Sequence, residues 1–480
     1  MNNGKEKLFN KAVVQLVSVV VLFFIYLLLL PWTAQKVYIK NYLVDGLCLF
    51  GVILLLISYA NKNKFDMFEP IYFISAIYVL MYFITPIYDI LTEEYLWYGY
   101  NLFEYGVTSS LIAFLGYFAF YVFYRFSFEK GKDRSIIFDT LDQQNERSVA
   151  SDTGLIAVIL VMYVVCFVAN LWYLVQYYGA SLLYVLTLGL LGEMSGTPTD
   201  ASIGFISMLS YCLPTTVLLY WEYGKSKLLK IILFVPMLMM QITRGFRFFV
   251  IQIFVTFFAY YFIRKGKRPK LKALLGLFVL LMIPVLLMTL FRDTIRAGGG
   301  LSISTFSASR LKEGFDAAFW DNLRIYQNFY GMVGVIPEEF GFVYGRQMIV
   351  GTLVMMIPRA LWPGKISMYG GEGLVTLIGA NIAAGQAYPN LGEYYYAIGV
   401  FGVVLFMSLY GWWMKRERVK NMPKRSGGLN NIIFAVLLGA NLQLIIRGYT
   451  PSNFWYLIFS ILPVIILKFL FPKIERGRDK

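Results

Sequence analysis

The amino-acid sequence predicts an all-α polytopic membrane protein with about 12 transmembrane helices. Of its 480 residues, 58% are hydrophobic and 15% are charged, whereas soluble globular domains carry about 25% charged residues. Apolar stretches recur at lengths that suit a hydrocarbon core of about 30 Å, and basic residues concentrate in alternate connecting loops. These observations exclude an ordinary soluble enzyme.

Each predicted helix corresponds to one apolar stretch. The first stretch follows Lys5, Lys7 and Lys11, but it is long and lacks a small-residue cleavage site, so we predict a retained anchor and not a cleaved signal. The predicted spans are 12–31, 42–60, 70–90, 103–124, 154–175, 203–221, 229–242, 247–263, 273–291, 394–414, 431–446 and 452–471.

The loop charges orient these spans. With both termini in the cytoplasm, 30 of the 43 basic residues lie inside and 13 outside, which agrees with the excess of lysine and arginine in cytoplasmic loops. We therefore predict a multi-pass membrane protein with both termini in the cytoplasm. Lysines that face anionic headgroups account for the net charge of +15, and no nucleic-acid partner is predicted.

Three parts follow from this topology. Residues 1–291 hold nine transmembrane helices with short loops, 292–393 form a large extracytoplasmic loop, and 394–480 hold three further helices and a cytoplasmic tail. Within the loop, Phe315–Met332 predicts an aromatic-rich helix, and the short apolar segment Gln347–Trp362 predicts a re-entrant or surface-lying element. Such a loop would roof a cavity at the outer membrane surface.

Arginine is enriched on the predicted outer side, where nine of the 13 basic residues are arginine against ten of 30 inside. The planar guanidinium pairs bidentately with phosphate oxygens, which points to an anionic ligand such as a lipid-linked diphosphate. The alternative is that these arginines snorkel at the interface or pair with nearby acids. The nine are Arg244, Arg247, Arg292, Arg296, Arg310, Arg324, Arg346, Arg359 and Arg447.

Two pairs among them have helical spacing. Arg244 and Arg247 are three positions apart, and Arg292 and Arg296 are four apart, so each pair would share one face of a helical turn. We expect these arginines to converge around one diphosphate.

General base chemistry must use a residue other than histidine, because the chain contains none. A carboxylate is the expected substitute, and Glu393 is favoured because it opens span ten where the loop meets the membrane. Glu372 is the reserve. The alternative for Glu393 is an acid that only complements a helix dipole. No Asp-x-Asp pair occurs in the chain, and we predict neither a metal site nor a cofactor.

Two segments carry a family resemblance. Ile357-Pro-Arg-Ala-Leu-Trp-Pro-Gly-Lys365 and Tyr388-Pro-Asn-Leu-Gly-Glu-Tyr-Tyr-Tyr-Ala-Ile-Gly-Val-Phe-Gly402 resemble the signature region of bacterial oligosaccharide repeat unit polymerases, the Wzy-type O-antigen and capsule polymerases. The resemblance covers about 160 residues, from Arg244 to Gly402, together with the topology.

The resemblance implies a polymerase that transfers a growing glycan from undecaprenyl diphosphate to a new lipid-linked repeat unit outside the cytoplasmic membrane. It implies a metal-independent, GT-C-like fold, and as partners the lipid-linked oligosaccharide, membrane lipid and a chain-length co-polymerase. The predicted catalytic residues are Glu393, Arg292 and Arg244, and the predicted substrate-binding residues are Arg247, Arg296, Arg310, Arg324, Arg359, Lys365, Glu372, Tyr394 and Arg447.

Two other functions stay open at this point. An O-antigen ligase is the sister activity, but ligases are described with an outer-loop histidine that this chain lacks. A polyprenyl-glycan flippase or another transporter would carry ionisable residues near mid-span and show repeated, broken helices. In this chain the charges crowd the predicted outer boundary, which favours chemistry at an interface.

Overall fold

Helices account for most of the part of the chain that the structure, a computed structural model, describes. That part comprises residues 36–62, 66–94, 96–97, 100–126, 153–178, 201–243, 247–266, 269–296, 308–338, 341–358, 361–362, 388–421 and 428–472. Its α-helices are α1 Lys36–Lys62, α2 Pro70–Leu91, α3 Gly106–Arg125, α4 Thr153–Tyr178, α5 Cys212–Tyr223, α6 Lys227–Thr243, α7 Arg247–Lys265, α8 Leu271–Arg296, α9 Ala308–Leu323, α10 Tyr326–Val335, α11 Arg346–Val354, α12 Asn390–Lys420, α13 Leu429–Ile446 and α14 Thr450–Leu470.

Three short elements complete the described structure. Strands β1 Leu96–Trp97 and β2 Tyr100–Asn101 pair in a small antiparallel hairpin, and the 3₁₀ helices Leu102–Glu104 and Ala201–Tyr211 precede α3 and α5. The protein is therefore an all-helical membrane protein apart from this one hairpin in the described residues.

Eight described helices are long and apolar enough to cross a membrane. The predicted spans 229–242 and 273–291 are also helical, whereas 203–221 begins as a 3₁₀ helix and continues as α5. The predicted span 12–31 lies outside the described residues, so the total of twelve stays a prediction. The eight spans are Tyr38–Ala60, Pro70–Leu91, Gly106–Arg125, Thr153–Gln176, Phe248–Lys265, Asn390–Lys420, Leu429–Ile446 and Thr450–Leu470.

The chain forms two compact units. The first unit comprises Met1–Ser135, Leu323–Tyr344 and Leu391–Arg416, and the second comprises Ile136–Asn322, Gly345–Asn390 and Glu417–Lys480. Each unit combines segments that are far apart in sequence. The predicted three-part division at residues 291 and 393 stays a prediction.

In the first unit, α1 and α3 run parallel and α2 runs antiparallel to both. Asp45 of α1 accepts a hydrogen bond from Ser110 of α3. Fourteen positions further on in each helix, Tyr59 and Tyr124 both donate to Glu69, the residue before α2, at 3.0 and 2.6 Å. Fourteen residues span about 21 Å of helix. Polar contacts therefore fix the register of the three helices at two depths.

A π-helical turn, Leu80–Ile84, interrupts α2 just before Pro86. Proline has no N–H, so it cannot donate the helical hydrogen bond to the carbonyl of Tyr82. The hydroxyl of Tyr330 lies 3.4 Å from that carbonyl. The carbonyl of Leu80 accepts from Thr85 Oγ1 at 2.7 Å and from the N–H of Thr85. A tyrosine hydroxyl thus lies beside the one carbonyl that Pro86 leaves without its helical donor.

In the second unit, α7 packs along α13, and α14 packs against α5 and α11. Gly439 of α13 allows the close approach to α7, because a Cβ at that position would collide with Thr256 Oγ1 and lie 3.1 Å from the carbonyl of Gln252. At one end of this unit, Glu222 accepts a hydrogen bond from Tyr260 at 2.5 Å and forms an ion pair with Arg264 at 3.3 Å.

Candidate functional site

The carboxylate of Asp89, near the end of α2, is fully buried and accepts hydrogen bonds from three side chains in and beside α10. Arg324 Nε donates to Oδ1 at 2.9 Å, while the Tyr326 hydroxyl and Gln327 Nε2 donate to Oδ2 at 2.8 and 3.0 Å. A buried charge is stable only when it is paired and hydrogen-bonded. These contacts therefore hold the start of α10 against α2 inside the first unit.

Tyr326 and Tyr330 continue this polar network along α10. Burial, together with the neighbouring Asp89 carboxylate, raises the pKa of Tyr326, so its hydroxyl remains a donor. The two rings meet edge to face with centroids 4.9 Å apart. The hydroxyls of Tyr330 and Ser110 share a hydrogen bond of 2.7 Å, and Ser110 Oγ donates to Asp45. One face of α10 thus contacts Asp89 directly and Asp45 through Ser110.

Helix α12 is broken near its beginning, at Ile398 and Gly399. Gly399 has φ +66° and ψ −148°, a conformation that side-chain-bearing residues rarely adopt. A Cβ on Gly399 would also lie 3.1 Å from Cζ of Phe342. The break separates a first segment, Asn390–Ala397, from the long remainder of the helix.

A short non-helical segment, Phe342–Tyr344, which we call the strap, lies at the break. The backbone N–H of Val343 donates to the carbonyl of Tyr396 at 3.1 Å, and that of Tyr344 donates to the carbonyl of Ala397 at 2.8 Å. These are carbonyls that an uninterrupted helix would pair with its own later N–H groups. The strap therefore satisfies the broken backbone and fixes the first segment of α12.

Glu393 and Tyr394 both lie on that first segment. Glu393 is 2% exposed and lies in the first turn of the helix, where a carboxylate interacts favourably with the helix dipole. The ring of Tyr394 packs against Phe406 with centroids 5.2 Å apart. Both predicted site residues are therefore held on one rigid element of the first unit.

Arg447, in the second unit, follows the last residue of α13, and its backbone is fixed on both sides. Its N–H donates to the carbonyl of Gln443 at 2.9 Å, and its carbonyl accepts from Nδ2 of Asn453 at 2.5 Å. The N–H of Gly448 donates to the carbonyl of Tyr388 at 2.6 Å. The short turn between α13 and α14 therefore presents Arg447 from a fixed backbone.

The guanidinium of Arg447 has no ion-pair or hydrogen-bond partner among the described residues. Burial lowers the pKa of Arg447, which means that the surroundings disfavour its positive charge. Arg324 differs, because its Nε already pairs with Asp89. Of these two predicted substrate-binding arginines, Arg447 is therefore the one that a bound anion would stabilise.

The other predicted residues are described incompletely or not at all. Arg247 begins α7, Arg292 and Arg296 lie in the last two turns of α8, and Arg310 lies on α9, but only the backbone of these four is described. Arg346 is exposed at the start of α11. The predicted residues outside the described part are Arg244, Arg359, Lys365 and Glu372. The roles of all of these stay predictions.

The sequence reasoning missed Asp89 and Asp45. Both lie within predicted apolar spans, and an ionisable residue at such a position is itself a signal of a buried partner or a site. The partners of Asp89 lie more than 230 positions further along the chain. In the ranges that the structure describes, no three histidine, cysteine, aspartate or glutamate side chains lie together as a metal site requires.

Comparison with known proteins gives one match. A family model described as O-antigen polysaccharide polymerase Wzy matches residues 12–474, which is nearly the whole chain. This confirms the family resemblance that the segments 357–365 and 388–402 indicated. No curated protein matches the chain, and no solved structure does.

The Asp89–Arg324 ion pair predicts strong coupling between two substitutions. We expect Asp89→Asn and Arg324→Gln each to lower the melting temperature, because each leaves a partly or fully buried charge without its partner. The double variant should lose less than the sum of the two, with a coupling free energy of about 0.5–3 kcal/mol. Thermal unfolding of the detergent-purified variants measures this, and strictly additive losses would contradict the pairing.

Proposed function

The chain belongs to the O-antigen polysaccharide polymerase Wzy family, and on this premise we propose that it joins lipid-linked oligosaccharide repeat units into a surface polysaccharide. This proposal rests on the family match over residues 12–474. The eight apolar helices support a location in the membrane. We further propose undecaprenyl diphosphate as the carrier, a GT-C-like arrangement of about twelve spans, and a reaction on the outer face of the bacterial cytoplasmic membrane.

The proposed reaction is a direct displacement at the anomeric carbon of the growing glycan. A hydroxyl of the incoming repeat unit attacks that carbon, the bond from the carbon to the diphosphate oxygen breaks, and the lipid diphosphate leaves with the bonding electrons. The proton of the attacking hydroxyl passes to a carboxylate. We assign that role to Glu393, because the broken helix and its strap hold the first segment of α12 in a defined position. Glu372 stays the reserve.

The leaving diphosphate gains negative charge as the bond breaks, and cations placed in advance stabilise it. We assign one of these cations to Arg447, which has a fixed backbone and a guanidinium without a partner among the described residues. Arg244 and Arg292 are proposed to act with it, as the arginine enrichment predicts. Arginines in this role would stabilise the negative charge of the leaving diphosphate, as a divalent metal does in other enzymes. We therefore propose a metal-independent reaction.

Polymerisation is favoured over the two alternatives by the family match. A flippase would also use a membrane helix with a break, but the break in α12 is closed by the hydrogen bonds of the strap. An O-antigen ligase would perform the same chemistry with a different acceptor. The acceptor therefore distinguishes ligase from polymerase, and elongation distinguishes both enzymes from a flippase.

A product ladder is the expected result when the purified protein is incubated with one defined lipid-linked repeat unit. The ladder should be unchanged when a chelator is added, because no step of the proposed reaction uses a metal. Gel separation of the products measures elongation. Movement of the substrate across a vesicle membrane without elongation would support the flippase, and a ladder lost on chelation would contradict metal independence.

Arg447→Lys should lower polymerisation about tenfold to a hundredfold while the fold is retained. Lysine keeps the charge but not the planar pair of donors, and hydrogen bonds to charged groups contribute about 1.5–3 kcal/mol each. The matched control is Arg346→Lys, the same substitution at an exposed arginine of the same unit. Equal activity in both variants would exclude the role assigned to Arg447.

Glu393→Gln should reduce the turnover number by about 10²–10⁴-fold, which is the usual contribution of a general base. Glutamine has nearly the same shape, so the melting temperature should change much less than the rate. Glu338→Gln is the control, because Glu338 is an exposed acid of the same unit. Initial rates of ladder formation measure the effect. Full activity of Glu393→Gln would contradict its role as the general base and would leave Glu372 as the candidate.

A further inference from the structure

A small pocket, lined mostly by apolar surface, lies in the second unit between α5, α6, α7, α13 and α14. It has a volume of about 20 Å³, and most of its lining residues are buried. Seven of them have amide or hydroxyl groups, and none carries a formal charge. The polar lining residues that matter here are Gln241, Gln252, Thr256, Tyr456 and Ser460.

Gln241, two residues before the end of α6, contributes an unsatisfied hydrogen-bond acceptor to the lining of the pocket. Its side chain is 1% exposed, and its Nε2 donates to the carbonyl of Ser210 at 3.0 Å. Its Oε1 is fully buried and accepts no hydrogen bond. An acceptor in this state costs about 1–3 kcal/mol.

The size and lining of the pocket select the ligand. A water molecule needs about 10–15 Å³ of such space and two to four polar partners, whereas apolar cavities stay dry. The volume meets the first condition and is too small for a sugar, a phosphate or a lipid group. Most of the lining surface is apolar, but the unsatisfied Oε1 of Gln241 and the hydroxyl groups of the lining residues offer polar partners. We propose that it binds one water molecule, which donates a hydrogen bond to Oε1 of Gln241 and joins α6 to the neighbouring hydroxyl groups.

The other helices of the pocket are already tied by polar contacts. Gln252 of α7 donates to the hydroxyl of Tyr456 on α14, and the hydroxyl of Thr215 on α5 donates to the carbonyl of Ser460 at 2.6 Å. The bound water extends this set of contacts to α6. It would thereby fix the end of the helix that leads to the predicted site residue Arg244, although the water site itself does not rest on the proposed function.

A double-mutant cycle of Val436 and Gln241 tests the water. Val436 lines the pocket from α13, and Val436→Ile adds a methyl group that fills the space. In the wild-type background we expect Val436→Ile to lower the melting temperature, because it displaces the water and leaves Oε1 unsatisfied. In the Gln241→Met background the same change should lower it far less, because no acceptor remains.

Each other outcome overturns the proposal. An increase in melting temperature for Val436→Ile in the wild-type background would show a dry pocket, and an equal decrease in both backgrounds would show simple overpacking. A melting temperature that rises in sodium chloride relative to equal choline chloride would show a cation in place of water. An experimental map that resolves ordered water should show one peak within hydrogen-bond distance of Oε1, and a map without it would contradict the proposal.

Discussion

The buried carboxylate of Asp89 fixes how α10 packs against α2 in the first unit. An ionised or hydrogen-bonded acid inside a helical bundle needs several donors at once, and here three of them come from Arg324, Tyr326 and Gln327. Because these residues are adjacent in sequence, they fix both the position and the rotation of α10. Tyr330, one turn later, is then directed to Ser110. A polar network thus specifies an arrangement that the non-directional packing of apolar side chains leaves open.

The break in α12 follows from the same requirement that backbone polar groups be satisfied inside the protein. A helix interrupted at membrane depth is tolerated where other protein groups take up the freed carbonyls. The strap does this for Tyr396 and Ala397, and Gly399, next to the non-helical Ile398, adopts a positive φ that favours glycine. The result is a short, separately oriented helix that carries Glu393, which a continuous helix would have aligned with the rest of the span.

The helical membrane architecture could be predicted because its signal is local. Apolar length decides whether a segment can cross a bilayer, and eight predicted spans correspond to apolar helices in the described residues. Irregular backbone was not predicted: neither the 3₁₀ helix Ala201–Tyr211 nor the π turn in α2 has a signature in hydropathy. The polar contacts of Asp89 were missed for a related reason, since its partners come from a segment distant in sequence and only the folded chain brings them together.

Arginine enrichment alone overstates how many guanidinium groups are available to an anion. Arg324 and Arg447 have the same side chain and the same predicted role, yet one pairs with a buried aspartate and the other has no partner among the described residues. An anion that approached Arg324 would meet a pair with no net charge and would be repelled by Asp89 at short range. An anion that approached Arg447 would restore the favourable interactions that burial has removed from the guanidinium. The local balance of charge and burial therefore decides which arginines can serve a diphosphate, and their number in the sequence does not.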